Sequence, residues 1–413
     1  MSAGPVTRTV RAGLESDAQY GAVVPPIYLT SNFAFDGLGA PRGPYDYTRS
    51  GNPTRDLLAG ALADLEGGAG AVVTATGLAA VTLTLASLPA GARVLAPHDC
   101  YGGTFRLLAA LGAKGAITVD FVDQNDAAAL AHALAARPAL VWIETPSNPL
   151  LRIVDVAALS TAAHAAGARV VVDNTFLSPV WQRPLALGAD LVLHSTTKYL
   201  NGHSDVVGGA VVARDAEAVR ELAWWANALG LTGAPFDSFL TLRGLRTLHV
   251  RMRAHADNAL AVVAALGRHP AVRRVHYPGL ADHPGHALAR RQQSGFGAML
   301  SFELAGGEGA VGAFLGALEC FTLAESLGGV ESLVAHPATM THAGMDPAAR
   351  ERAGIGAGLL RLSIGIETAA DLVADLEAAL DRARLALSRA RRARRRRPRG
   401  WSRASTPGAR DRR

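Results

Sequence analysis

Seven short apolar runs alternate with alanine-rich segments between residues 71 and 212, and this alternation constrains the fold more than any other feature. The runs are residues 71–73, 93–96, 117–122, 140–143, 169–172, 191–193 and 209–212. Segments between them, such as residues 125–136 and 154–166, are long enough for crossover helices. Strands that alternate with such helices are typical of a parallel sheet covered on both faces. We therefore predict an α/β fold with a seven-stranded, mainly parallel sheet.

The remaining segments suggest how the 413 residues divide into domains. Residues 1–55 carry many Pro, Gly and Tyr residues and little periodicity, so we predict an extended N-terminal arm before an α/β domain at 56–240. A smaller α+β domain is predicted at 241–387 and a disordered tail at 388–413. Within the smaller domain we expect helices at 240–266 and 369–386, and strands at 272–276, 298–303 and 359–363.

The net charge of +6 comes from the C-terminal tail. Residues 389–413 hold twelve arginines and one aspartate, so they carry +11 and the rest of the chain carries −5. A segment rich in Arg, Pro, Ser and Gly is typical of a solvated, disordered extension. We therefore disfavour the hypothesis of a non-enzymatic nucleic-acid binder that works through the tail.

Two cysteines cannot form a disulfide framework, which predicts a reducing cytoplasm. The polar start does not resemble a signal peptide, and no run of eighteen apolar residues predicts a membrane span. The histidines at 283–286 and 336–342 lack the acidic or cysteine partners of a metal site, so no metal is predicted.

A lysine lies at the end of one apolar run, in residues 190–204 (DLVLHSTTKYLNGHS). The chain has two lysines, Lys114 and Lys198, against thirty-nine arginines. Arginine cannot deprotonate, whereas a partly desolvated lysine can be neutral and form an imine with a carbonyl compound. Lys198 is therefore a candidate nucleophile, and an ordinary surface cation is the alternative.

Three further stretches follow predicted strands, where ligands bind in open α/β sheets. Asp173 ends one strand and can pair with a protonated ring nitrogen, or can merely cap a helix.

Residues 74–80 (TATGLAA) form a glycine turn that suits a monophosphate, without the spacing of a dinucleotide fold or a P-loop. In residues 98–106, Tyr101 can lie on a flat cofactor and Arg106 can bind a carboxylate, while Cys100 is predicted to be a small, semi-buried residue.

Over roughly residues 5–387 the sequence resembles the Cys/Met-metabolism family of pyridoxal-phosphate enzymes. The matching stretches are residues 19–26, 46–54 (DYTRSGNPT), 144–149 (ETPSNP), 190–204, 224–227 (WWAN), 324–329 (AESLGG) and those around Arg361. The resemblance implies pyridoxal 5'-phosphate as cofactor, bound by domain 56–240 of an aspartate-aminotransferase-like fold of type I. It also implies a homotetramer of two dimers, in which arm 1–55 contributes to the neighbouring subunit's site.

The resemblance also implies a role for each matching residue. The catalytic residues would be Lys198, Tyr101 and Asp173. The cofactor-binding residues would be these three with Gly77, Leu78, Ser195 and Thr197, joined by Tyr47 and Arg49 from a neighbouring subunit. The amino-acid substrate would be bound by Asn148 and Arg361 near its α-carboxylate, and by Arg106, Asp46, Glu325 and Ser326.

The implied reaction is a γ-replacement in which the sulfur of L-cysteine takes the place of the acyl leaving group, released as its carboxylate, at Cγ of O-succinyl-L-homoserine, or of another O-acylhomoserine, to give L-cystathionine. This is a step of transsulfuration and methionine biosynthesis. Two alternatives stay open because the same residues serve them. One is cleavage of cystathionine to cysteine, 2-oxobutyrate and ammonia, and the other is a sulfhydrylase reaction on the same esters.

Overall fold

The computed structural model describes residues 3–345 and 347–396. Its strands, in chain order, are β1 Phe35–Gly37, β2 Ala40–Pro41, β3 Gly70–Thr74, β4 Arg93–Pro97, β5 Thr118–Val122, β6 Leu140–Glu144, β7 Arg169–Asp173, β8 Leu191–His194, β9 Gly209–Ala213, β10 Val272–His276, β11 Met299–Leu304, β12 Thr322–Leu323, β13 Leu333–Ala335 and β14 Leu359–Ser363.

The α-helices, in the same order, are α1 Pro5–Val10, α2 Pro53–Glu66, α3 Gly77–Ala86, α4 Gly102–Ala113, α5 Ala127–Ala135, α6 Val156–Ala165, α7 Ser178–Trp181, α8 Ala216–Leu229, α9 Pro235–Leu245, α10 Leu248–Arg268, α11 His286–Gln292, α12 Glu308–Leu315, α13 Pro347–Ala353 and α14 Ala369–Arg396. No helix of the described residues is long and apolar enough to span a bilayer.

A seven-stranded sheet forms the centre of the fold, in the order β3-β9-β8-β7-β6-β4-β5. The strands from β8 to β5 are parallel, whereas β9 pairs antiparallel with both β8 and β3. Each predicted apolar run is one of these strands. The predicted α/β fold with a mainly parallel sheet is therefore confirmed.

The apolar runs lack a polar alternation because both faces of the sheet are buried. On β6, Val141 and Ile143 join a core on one face, while Leu140 and Trp142 join a separate core on the other. All four side chains are fully buried. Helices on both faces thus hold the sheet rigidly and align the carboxyl ends of its parallel strands.

A smaller mixed sheet follows, in the order β10-β11-β14-β13-β12. Its core is apolar and includes Phe302 of β11, Phe314 of α12 and Leu376 of α14. The three strands expected from the sequence are present as β10, β11 and β14. Strands β12 and β13 were not predicted, and they are only two and three residues long.

The expectation of one helix over residues 240–266 is wrong, because two helices, α9 and α10, meet there. The carbonyl of Gly244 accepts hydrogen bonds from Thr247 Oγ1 at 3.1 Å and from Arg251 Nη2 at 2.7 Å. The Thr247 N–H also donates to this carbonyl, at 3.2 Å, so Gly244 is bound by the residue three positions later and the chain turns at residues 246–247.

The last helix, α14, runs to Arg396 and so extends beyond its expected end at 386. Residues 388–396, which the sequence analysis assigns to a disordered tail, continue this helix. The rest of the predicted tail, residues 397–413, lies outside the described residues. The N-terminal segment has a helix of six residues and a two-stranded sheet, and it leaves Tyr20, Leu29 and Leu38 exposed.

Candidate active site

A cavity of about 470 Å³ lies at the carboxyl ends of β6, β7 and β8, where the smaller domain meets the large sheet. Most of the predicted site residues line it. They are Gly77, Leu78, Tyr101, Arg106, Asn148, Asp173, Ser195, Thr197, Lys198, Glu325, Ser326 and Arg361. The fold therefore gathers into one space residues that lie as far apart in sequence as Gly77 and Arg361.

Lys198 follows β8 in a turn, and its Nζ donates a hydrogen bond to Ser326 Oγ at 2.6 Å. Burial and, to a smaller extent, the charge of Arg361 lower the pKa of Lys198 from 10.5 to about 8, against the opposing charge of Glu325. A charged amine is disfavoured where water is excluded and a second cation is close. Lys198 is therefore partly neutral near physiological pH, as a nucleophile or a base needs to be.

Asp173, at the end of β7, is held by the residue two positions later. Its Oδ1 accepts hydrogen bonds from Thr175 N at 3.0 Å and Thr175 Oγ1 at 2.5 Å, and Ser195 N donates to the same hydroxyl at 3.0 Å. Burial raises the pKa of Asp173, and the bonds from Thr175 partly offset this. Its Oδ2 receives no hydrogen bond from the described residues, so it is available to a ring nitrogen.

The amino terminus of α3 has the form of an anion site. The Thr76 hydroxyl caps the helix by accepting from Ala79 N at 2.8 Å, while Gly77 N and Leu78 N have no acceptor among the described residues. A Cβ on Gly77 would lie 2.9 Å from Ser195 Cβ, so only glycine lets these segments meet. The hydroxyls of Ser195 and Thr197 line the same space, which suits a monophosphate.

Tyr101 precedes α4 on the cavity wall. Its backbone N donates to Glu144 Oε2 at 2.7 Å. Burial raises the pKa of Tyr101, helped by the charge of Glu325 and opposed by that of Arg106. A Cβ on Gly103 would lie 2.5 Å from the Tyr101 ring, so glycine at this position allows the ring to lie against the start of α4. The ring can stack on a flat cofactor.

Arg361 on β14 is a buried cation that forms no ion pair within the described part of the chain. Nη1 donates to Asn148 Oδ1 at 3.0 Å and Nη2 to Ser326 O at 2.8 Å, while Nε has no partner among the described residues. Burial lowers the pKa of Arg361 to about 10. No carboxylate of the described residues forms an ion pair with it. A buried, unpaired guanidinium is suited to bind an incoming carboxylate.

Arg106 and Glu325 give the cavity walls charges of opposite sign. Met340, Thr341 and Gly344 complete this part of the wall, and a Cβ on Gly344 would lie 3.8 Å from Arg106 Nη1. Such a wall can distinguish a carboxylate from an ammonium group at the far end of a substrate.

The three predicted arm residues do not line this chain's cavity. Arg49 Nη1 donates to Asn227 O at 2.8 Å and to Asn227 Oδ1 at 2.9 Å. Asp46 Oδ1 accepts from Tyr47 N and from Ser50 Oγ, both at 2.6 Å. Tyr47 is 48% exposed. Their assignment to a neighbouring subunit's site stays a prediction.

Sequence reasoning gave no role to two residues that shape the site, Glu144 and Thr175. Glu144 is the register partner of Asp173 on the adjacent strand. Burial raises the pKa of Glu144 well above its usual value, and the charge of Asp173 adds to this. Glu144 begins the stretch ETPSNP, and Thr175 lies two residues after Asp173. The available signal was that each residue lies within three positions of the end of an apolar run.

Together these residues fit pyridoxal phosphate. The cavity offers a partly neutral lysine, a carboxylate with a free oxygen, an aromatic ring and an anion site at a helix amino terminus. No group of acidic, histidine or cysteine side chains among the described residues has the arrangement of a metal site. The donor set thus suits an organic phosphate with a ring nitrogen and a carbonyl group.

Comparison with known proteins gives the same assignment. The model of the Cys/Met metabolism PLP-dependent enzymes matches residues 6–381. The chain is 59% identical to the cystathionine gamma-synthase of Escherichia coli over 378 residues, which are 91% of this chain and 98% of the relative.

Two solved structures extend the comparison. Cystathionine gamma synthase from Xanthomonas oryzae pv. oryzae, in complex with cystathionine, has 63% identity and a TM-score of 0.93, and the match covers 94% of this chain and 100% of that one. Cystathionine gamma-lyase from Lactobacillus plantarum, complexed with L-serine, has 41% identity and a TM-score of 0.89, covering 92% and 100%. The chain belongs to the Cys/Met metabolism family of PLP-dependent enzymes.

Proposed function

We propose that this enzyme catalyses the γ-replacement of an O-acylhomoserine by L-cysteine to give L-cystathionine, in transsulfuration and methionine biosynthesis. The observation that carries this proposal is the 59% identity to a cystathionine gamma-synthase over 98% of that protein's length. The cavity supports it, because it combines a lysine of lowered pKa with an unpaired buried arginine.

The chain's own residues divide the work. Pyridoxal phosphate, when bound, withdraws electrons from the substrate carbon skeleton and so allows Cα and Cβ protons to leave. Lys198 Nζ removes the Cα proton and moves protons from and back to Cβ, since it is partly neutral near pH 8, while Cγ loses the carboxylate leaving group and gains the cysteine sulfur. Arg361 and Asn148 bind the α-carboxylate and so orient the Cα–H bond toward this amine.

The remaining cavity residues bind the cofactor and select the substrate. Asp173 pairs with the ring nitrogen, Tyr101 lies on the ring face, and the phosphate is bound at Gly77, Leu78, Ser195 and Thr197. Arg106 binds a distal carboxylate, and Glu325 and Ser326 face the amino-acid substrate. We prefer O-succinyl-L-homoserine as the ester because Arg106 offers a partner for its second carboxylate.

A product assay tests the function directly. The purified enzyme is supplied with O-succinylhomoserine with and without cysteine, and in parallel with cystathionine alone. We expect cystathionine only when ester and cysteine are both present. Faster cleavage of cystathionine than synthesis from any ester would assign the enzyme to the lyases. Faster turnover with sulfide than with cysteine would assign it to the sulfhydrylases.

We further propose a homotetramer of two dimers, in which the arm at residues 1–55 supplies Tyr47, Arg49 and Asp46 to the partner's site. The exposed apolar side chains of the arm and the absence of these residues from their own chain's cavity support this arrangement. Domains at 56–240 and 241–387 would bind the cofactor and close the site. Both cysteines are unpaired, which supports a cytoplasmic location.

A further inference from the structure

Glu144 is a buried carboxylate at the end of β6 that has no part in the chemistry proposed above. It is 6% exposed and lines the cavity. Its Oε2 accepts a hydrogen bond from Tyr101 N at 2.7 Å, and its Oε1 accepts one from Asn148 N at 3.2 Å. One side chain therefore binds two separate loops through their backbones.

The two loops carry different parts of the site. Tyr101 begins the α4 segment whose ring faces the cofactor space, and Asn148 binds Arg361 at the carboxylate site. Glu144 itself is fixed by the sheet, as the register partner of Asp173. Its position in a rigid strand makes it a common reference point for both loops.

The same two loops are also joined elsewhere, through Asp99. Asp99 Oδ2 accepts from Ser147 Oγ at 2.7 Å and from Arg152 Nη1 at 2.9 Å, and Asp99 is also buried. The attachment of the loops to each other therefore does not depend on Glu144. Glu144 instead fixes where Tyr101 and Asn148 lie relative to the carboxyl ends of the strands.

We propose that Glu144 is a positioning residue that holds Tyr101 and Asn148 at a fixed separation, so that the ring face and the carboxylate site are aligned together. This inference rests on the proposed function for its kinetic test. This positioning role requires both carboxylate oxygens of Glu144 as acceptors, and it requires the full length of the glutamate side chain.

Two substitutions separate the effect of side-chain length from that of the carboxyl group. In Glu144→Gln the amide nitrogen has no acceptor lone pair, so one of the two N–H groups loses its partner. In Glu144→Asp the carboxyl group is kept, but the side chain is one carbon shorter and cannot reach both loops. We expect each variant to raise KM for the acylhomoserine by about tenfold, as for one lost buried hydrogen bond. The visible circular dichroism of the bound cofactor should change as well.

A double-mutant cycle distinguishes a positioning role of Glu144 from a general effect on stability. Because part of the effect of Glu144 passes through Asn148, Glu144→Gln should raise KM less in the Asn148→Ala background than in the wild type, and only the part exerted through Tyr101 should remain. Asp120→Asn is the matched control, since it removes a carboxylate from edge strand β5 that pairs with Arg93, outside the site. Its KM and circular dichroism should equal those of the wild type.

Three results would overturn the inference. The first is a wild-type KM and a wild-type circular dichroism spectrum in both Glu144→Gln and Glu144→Asp. The second is an effect of Glu144→Gln on KM that is as large in the Asn148→Ala background as in the wild type. The third is a lowered Tm as the only change in the Glu144 variants. If the wild type makes no cystathionine at all, the proposed function fails instead, and the circular dichroism comparison still tests Glu144.

Discussion

Lys198 Nζ and Ser326 Oγ lie 2.6 Å apart, although 128 residues separate them in the chain. The lysine follows a strand of the large sheet, and the serine precedes β13 of the smaller sheet. Ser326 has a positive φ of 83°, a conformation that L-residues rarely adopt. The smaller domain therefore sets the environment of the lysine.

This environment predicts how the reactivity of Lys198 depends on pH. Its pKa is lowered to about 8, so the neutral amine increases as the pH rises through 8. At pH 7 it should hold about 300 times more neutral amine than a lysine of pKa 10.5. In cofactor-free enzyme with Lys114→Arg, the rate of acetylation by acetic anhydride should be half-maximal near pH 8. A rate that still rises steeply above pH 10 would contradict the lowered pKa.

The cofactor assignment predicts a single labelled peptide. Lys198 is one of only two lysines, and Lys114 caps the C-terminal end of α4 outside the cavity. Borohydride reduction of the holoenzyme should fix pyridoxal phosphate on the Lys198 peptide alone, as detected by mass spectrometry. Label on the Lys114 peptide would contradict the assignment of Lys198 as the cofactor lysine. The control is Lys198→Arg, which keeps the charge but cannot form an imine and should therefore carry no label.

The shared-site proposal predicts complementation between two inactive variants. Arg49→Ala should weaken cofactor retention, because the proposed phosphate partner in the neighbouring site is lost. Mixing it with Lys198→Ala under subunit-exchange conditions should restore part of the activity, since hybrid dimers contain one intact site. Mixing Lys198→Ala with Lys198→Arg is the matched control and should restore nothing. If the first mixture behaves like this control, each site is built from one chain.

The charge of Arg106 predicts which ester is used. Arg106 is exposed in the single chain, and an arginine–carboxylate contact from which bound substrate displaces water supplies about 1.5–3 kcal/mol, or roughly tenfold or more in kcat/KM. O-succinylhomoserine offers that carboxylate and O-acetylhomoserine does not, so the succinyl ester should be used better. Arg106→Ala should narrow the difference mainly by lowering kcat/KM for the succinyl ester. Equal use of both esters by the wild type would contradict this role while leaving the transferase proposal intact.

Much of the large sheet could be predicted from sequence because its strands are buried on both faces. An apolar run such as that containing Val171 and Val172 gives a clear signal when no face has to be polar. The strands of the smaller sheet were less predictable, since β12 and β13 are too short to show any period. At the break between α9 and α10, Arg251 donates hydrogen bonds to the Thr247 hydroxyl and to the Gly244 carbonyl. No apolar pattern in the sequence reveals these contacts.

The site was predictable where one residue type carries the chemistry, as at Lys198 and Asp173. It was not predictable where a residue acts by supporting another. The Thr175 hydroxyl donates a hydrogen bond to Asp173 Oδ1 and accepts one from Ser195 N. It thereby connects the ends of the adjacent strands β7 and β8. Glu144 likewise gains its importance from loops that only the folded chain brings to it.

The antiparallel pairing of β3 with β9 has a consequence for the order in which the chain can fold during synthesis. Val72 pairs with Val211, about 140 residues later, so this edge of the sheet cannot close until β9 has left the ribosome. Helix α3, whose first residues form the anion site, follows β3 directly and is made early. The phosphate-binding turn is therefore translated long before the strand that fixes its position against Ser195.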